Sequence, residues 1–189
     1  MTLPNIILIL SILVWALPPF RHFKTEYFVC FLIFAIADPI ALSFFYLHLA
    51  KPQFIMPTIE LFLLFSLMQK NERNFIVILA AIIILNYTIW LFPKSVFLVS
   101  AFIHIALALE ILSKFLMQIY NQNKINLFLI LFTAYELSNS LKYFVIYANI
   151  TIGSFYFVLT SLSQIIFGII FIFININTKS FRINAGLLK

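Results

Sequence analysis

A chain of 189 residues in which 64% are hydrophobic and only 10% charged is not an ordinary soluble globule, because its twelve basic and six acidic side chains are too few to solvate one. Several apolar runs approach the roughly 20 residues that an α-helix needs to cross a bilayer core, so the composition is that of an integral membrane protein in contact with a lipid bilayer. The net charge of +6 then reads as a topology signal and not as a nucleic-acid footprint, and no nucleic-acid partner is expected.

Polar clusters cut the sequence into seven predicted spans, at about 3–19, 27–49, 54–68, 75–92, 96–120, 127–148 and 155–176. The first resembles a signal peptide only in length. No Lys or Arg precedes it, Arg21 and Lys24 follow it, and "VWALPPF" is not a small-residue cleavage site, so a transmembrane helix is expected. The second span holds Cys30, the lone cysteine, and the stretch "FAIADPIALSFF", in which Asp38 directly precedes Pro39. The third is the shortest and contains Pro57 and Glu60. Without it six spans would place both termini on one side. It is kept because a run as apolar as "IELFLLFSLM" is costly to leave in water, and because Trp15, Tyr27, Trp90, Tyr120 and Tyr147 then fall near the interfaces that amphipathic rings prefer.

The connections "RHFKTE", "KPQ", "QKNERN", "PKS", "NQNKIN" and "NITIGS" are too short for a soluble domain. With seven spans, Arg21, Lys24, Lys70, Arg73, Lys124, Lys179, Arg182 and Lys189 gather on one side, against Lys51 and Lys94 on the other. The positive-inside rule then puts the N-terminus outside and the C-terminus in the cytoplasm, across the cytoplasmic (inner) membrane. The expected fold is all-α: a polytopic seven-transmembrane-helix bundle over 1–176 and a short basic cytoplasmic tail over 177–189. Laying Asp38 over Glu136 matches Phe34 with Phe132 and Phe45 with Tyr143, which marks a candidate 3+1+3 parallel repeat.

Intramembrane polar residues are the candidates for chemistry. Asp38 lies at the midpoint of its span, out of snorkelling reach, where a charge costs ~3 kcal/mol or more. Pro39 deprives the Ala35 carbonyl of its helical donor, so the pair forms a polar notch. The notch is read as a ligand, proton or cation site, the alternative being an Asp that bonds a freed carbonyl and holds a kink. Glu60, in "MPTIELFLLF" beyond the kinking Pro57, is a second acid near mid-membrane. Glu136 shares a helix face with Asn139, Ser140 and Tyr143, and Thr160, Ser161 and Gln164 form a polar stripe in the last span. Each stripe is either the wall of a site or interhelical hydrogen bonding.

The ligand or proton site is therefore assigned to Asp38, Glu60, Glu136, Asn139 and Gln164, with His104 as a candidate relay, although a lone His is more often a packed, hydrogen-bonded core residue. Glu110 and Lys114 have the i, i+4 order of a structural ion pair. Lys142 is expected to snorkel outward and His48 to sit at the interface. Four intramembrane acids face two lysines, so at least one acid is expected to be protonated at neutral pH. Neither a metal nor a cofactor is expected, for lack of zinc spacing, a phosphate-cradling Gly-rich loop or a nucleophile elbow, and the last span has no Lys for a retinal Schiff base.

An acid-bearing second helix, the Glu-bearing "TIELFLLF" and the ending "FYFVLTSLSQIIFGIIFIFI" resemble a diffuse group of small seven-helix bacterial membrane proteins, a resemblance that implies the architecture and no activity. "MPTIELFLLF" is also similar to the Pro-x-Glu-Glu motif of carotenoid-type lycopene cyclases, which are small helical membrane proteins. Ile59 stands where that motif has its first Glu, and Ser163 and Gln164 stand where a duplicated cyclase would repeat it. The leading expectation is a non-enzymatic bundle that binds or senses a small or lipidic ligand at the acids and signals through a membrane or cytoplasmic partner. A proton- or cation-coupled transporter of small solutes is the second expectation, and a membrane enzyme using acid-base chemistry on a lipid or isoprenoid the third.

Overall fold

The computed structural model describes residues 3–49, 51–68, 75–149, 153–177 and 182–184. Its helices are α1 (Leu3–Trp15), α2 (Pro18–His22), α3 (Phe28–Tyr46), α4 (Pro52–Leu67), α5 (Phe75–Leu91), α6 (Val96–Gln122), α7 (Leu127–Tyr147) and α8 (Gly153–Phe173), with a 3₁₀ turn at Pro93–Ser95 before α6. Their ends follow local chemistry. Pro18 and Pro52 open α2 and α4 at the first helical position, where a missing N–H costs nothing. Asn123 closes α6 in the left-handed region at φ 48°, and the Asn126 side chain caps α7 by accepting from the Phe128 N–H at 3.1 Å.

Helical segments thus occupy the seven apolar stretches, with differences at the edges. The stretch 3–19 is not one helix: it breaks before Pro18 and Pro19 and restarts as the short α2. Two short strands were not expected. β1 (Lys124–Asn126) pairs antiparallel with β2 (Arg182–Asn184), Ile125 opposite Ile183, so part of the expected loop and part of the tail form a small ladder.

Among the described residues, two helical segments are long and apolar enough to cross a membrane, Phe28–Tyr46 and Pro93–Gln122. Gln53–Leu67 and Ile76–Leu91 are apolar but shorter than the roughly 20 residues of a perpendicular span. Helix α7 has the length but carries a polar stripe. Large apolar side chains face outward throughout, among them Leu13, Ile83, Ile84, Phe102 and Leu109, whereas Glu60, His104, Glu136 and Asn139 are buried. Apolar residues thus cover the outside as well as the core, more exposed apolar surface than a soluble globule carries.

One end of the interior is aromatic. Phe31 stacks on Phe132 with ring centroids 5.6 Å apart, Phe171 packs against both, and Trp15 reaches Phe34 at 5.0 Å and Tyr135 at 5.1 Å. These rings tie α1, α3, α7 and α8 together, by about 0.5–1.5 kcal/mol per pair beyond area burial. Helices α1 and α8 meet at Gly168, where a Cβ would lie 2.7 Å from Val14 Cγ1 and 3.3 Å from Trp15 Cε2. Val14 is β-branched and stiff in a helix, so it has little freedom to withdraw.

His22 belongs to this aromatic end and not to an aqueous loop. Its buried ring stacks on Phe31 at 4.2 Å, and its Nε2 lies 3.1 Å from the Phe171 carbonyl. Burial pushes the imidazole from its ordinary 6.5 down to about 4, the carbonyl contact opposing.

Two outcomes follow from this packing. Gly168→Ala should lower the thermal midpoint of the detergent-solubilised protein by an amount corresponding to about 1–3 kcal/mol of overpacking, and an unchanged midpoint would contradict the close α1–α8 approach. For His22 the folded chain excludes a proton that the unfolded chain takes up, so stability is full above pH 6.5 and falls as pH drops toward 4. A pH series of melting curves should show a smaller loss over that window in His22→Gln, which keeps a donor for Phe171. Equal losses in both proteins would remove His22 from the account.

Candidate functional site

Four helices deliver polar groups to one region. In α3 the helix continues through Pro39, and Ser43 Oγ donates to the Pro39 carbonyl at 2.8 Å. Asp38, half-buried, makes no hydrogen bond among the described residues and faces a cavity. The alternative in which its carboxyl holds the kink by bonding a freed carbonyl is therefore not the arrangement adopted. In α4, Pro57 is buried and Glu60 follows it by three residues, one turn deeper into the interior. From α6 comes His104, and from α7 come Glu136, Asn139 and Lys142 at successive spacings of three.

At the centre a histidine lies between two carboxylates. His104 Nδ1 is 2.6 Å from Glu136 Oε2, and His104 Nε2 is 3.5 Å from Glu60 Oε1. The exposures are 3% for His104, 2% for Glu60 and 0% for Glu136, so solvent does not screen the three. Tyr143 stacks on the imidazole at 5.4 Å with the rings 18° from parallel, which fixes the ring plane. The short Nδ1 contact is a hydrogen bond. The longer Nε2 contact is electrostatic, because both Glu60 oxygens lack a hydrogen-bond partner among the described residues. Only an imidazolium offers an N–H to each carboxylate; a neutral ring offers one, and the other contact must then take its proton from a carboxyl group. Either way a proton lies between His104 Nδ1 and Glu136 Oε2.

Beside this line is an amide relay. Gln164 Nε2 of α8 donates to Asn139 Oδ1 at 2.8 Å, and Lys142 Nζ donates to Gln164 Oε1 at 3.2 Å. Lys142 therefore turns inward, and the expected outward snorkelling is corrected: an amide acceptor and nearby acids outweigh the pull of the interface. Asp38, Glu60, His104, Asn139, Lys142 and Gln164 all border a cavity of about 120 Å³, whose other wall includes Trp15, Phe34 and Tyr135.

Of the sequence-predicted site residues, Asp38, Glu60, Asn139 and Gln164 meet at this cavity together with His104, and Glu136 joins through His104. Lys142 belongs with them as well; its spacing of three from Asn139 was the available signal. The predicted Glu110–Lys114 ion pair is not formed. Lys114 Nζ instead donates to the Leu67 carbonyl at 2.5 Å, lies 3.9 Å from Glu26 and sits over the Tyr27 ring. A carbonyl left open at the end of α4 is a stronger partner for it than a half-exposed carboxylate one turn away on its own helix. His48 is exposed at the end of α3 with φ 55°. Ser161 is buried and Thr160 donates to the Tyr156 carbonyl at 3.0 Å, so of that stripe only Gln164 reaches the site. Among the described residues the acids, histidines and cysteine do not converge in threes on any point that would suit a metal ion. No family model matches the chain, and no curated protein or solved structure matches it.

Proposed function

We propose that the chain is a seven-span integral membrane bundle, N-terminus outside and C-terminus in the cytoplasm of the inner membrane, that binds a small polar ligand at a mid-membrane acidic site and signals through a membrane or cytoplasmic partner. Support for the membrane reading is the extent of large apolar side chains on the outer surface, together with two helical segments, among the described residues, apolar and long enough to span. A bilayer thinned around them accommodates the shorter apolar helices. The 3+1+3 repeat belongs to the same reading, with Asp38 and Glu136 in corresponding spans.

The observation that carries the binding function is Glu60: a carboxylate 2% exposed, with neither oxygen hydrogen-bonded, bordering a cavity that Asp38, Lys142 and Gln164 also border. Its charged neighbour is His104 Nε2 at 3.5 Å, a contact too long to satisfy a buried carboxylate by itself, and a bound donor would complete it. The cavity's size favours a small ligand over a lipid or isoprenoid, since pockets for drug-sized molecules start near ~300 Å³. A proton-coupled transporter is the second reading, favoured by one specific feature: the imidazole placed between two carboxylates, a form suited to passing a proton between helices.

The test is mass spectrometry of small molecules and lipids that co-purify with the wild type, beside an Asp38→Asn, Glu136→Gln double variant of verified folding. A small polar species enriched only with the wild type is expected. Matching profiles would count against a tightly held ligand and turn the acids into structural groups.

A further inference from the structure

Resting on the binding function proposed above, we infer that the cavity between α1, α3, α4, α6, α7 and α8 is a site for one small ammonium-type cation, held by the Glu60 carboxylate against an aromatic wall of Trp15, Phe34 and Tyr135.

Charge selects the sign. Asp38, Glu60 and Glu136 bring three carboxylates to the region, against Lys142 and at most one positive charge on His104. With all three acids ionised, one negative charge is left over beside Glu60 and Glu136, which are 2% and 0% exposed. An anion would add to the imbalance and a zwitterion would leave it unchanged, whereas a single monovalent cation removes it.

Chemistry then selects the kind of cation. A hard metal cation gathers about six or more oxygens. Here Asn139 Oδ1 already accepts from Gln164 and Gln164 Oε1 from Lys142, so both amide oxygens are part-occupied and the charged acceptors on the cavity are the carboxylates of Asp38 and Glu60. An ammonium group asks for less: one or two charged acceptors for its N–H bonds and an aromatic face for the rest. The three rings meet that need. Their centroids are 5.0 Å (Trp15–Phe34), 5.1 Å (Trp15–Tyr135) and 5.5 Å (Phe34–Tyr135) apart, so they form one continuous surface on the cavity. A volume of about 120 Å³ admits ammonium, methylammonium or a similarly short amine and excludes large quaternary ions.

The probe is radiolabelled methylammonium, bound to the purified full-length chain in detergent or nanodiscs. We expect saturable binding at one site per chain that ammonium chloride displaces, and that neither sodium chloride nor tetrabutylammonium displaces at equal concentration. Glu60→Gln and Asp38→Asn, on different helices and each checked for a monodisperse, folded preparation, should each weaken it at least roughly tenfold. Trp15→Leu should weaken it while leaving the carboxylates in place. Absence of saturable binding to the wild type overturns the inference, as does equal displacement by sodium, or equal binding by both carboxylate variants. If methylammonium does not bind but the wild type still enriches a small molecule over the double variant, the ammonium assignment falls and the binding site stands. If neither occurs, both fall.

Discussion

His104 and its two carboxylates are the constraint on which the rest of the bundle depends. The imidazole is the point where α4, α6 and α7 are tied together by charge, with Glu60, His104 and Glu136 contributed one by each helix. Taking such groups from water costs several kcal/mol per ion, and their mutual attraction offsets this only while all partners stay in place. Deleting one leaves the others stranded, which is why a cluster of this kind fixes the register of neighbouring helices. The stacked Tyr143 ring and the Asn139–Gln164 hydrogen bond extend that registration along α7 and across to α8.

The aromatic end supplies a different kind of cohesion. Where outward-facing surfaces are apolar and the surroundings are lipid, burying more apolar area gives little net drive, and close packing and interhelical hydrogen bonds carry association. Stacked and edge-on rings from α1, α3, α7 and α8 provide the packing, and Gly168 lets α1 and α8 approach closely enough for Trp15 to reach its neighbours. Trp15 thus belongs to both halves, as part of the aromatic cluster and as the wall of the polar cavity. Helix α5 adds no ring to this arrangement: it packs Ala81, Ile82 and Leu85 against the core, Asn86 donates to Thr58 of α4, and much of the rest is exposed and apolar.

Much of this was legible in the sequence because hydropathy and depth are local properties. Seven apolar stretches announced seven helical segments, and Asp38, Glu60 and Glu136 stood out because carboxylates rarely sit among so many apolar neighbours. Less legible was anything set by contacts between helices. His104 looked isolated on its own turn, since both its partners come from other segments. Glu110 and Lys114 looked paired because spacing along a helix says nothing of the Leu67 carbonyl that competes for the lysine. Lys142 was read by its distance from an interface, which omitted the Gln164 amide facing it. The break at Pro18 was within reach, as consecutive prolines seldom lie inside one helix, whereas the β1–β2 ladder joins segments more than fifty residues apart and left no local trace.

The most direct measurement is a double-mutant cycle on the central contact, with His104→Gln, Glu136→Gln and the double variant compared with the wild type by thermal or denaturant unfolding in detergent. The His104–Glu136 hydrogen bond predicts coupling: the double variant should lose less stability than the two single variants summed, by about 0.5–3 kcal/mol. Strict additivity, with both single variants near wild-type stability, would show that the imidazole and the carboxylate do not meet and would contradict the arrangement on which the cavity and its proposed ligand rest.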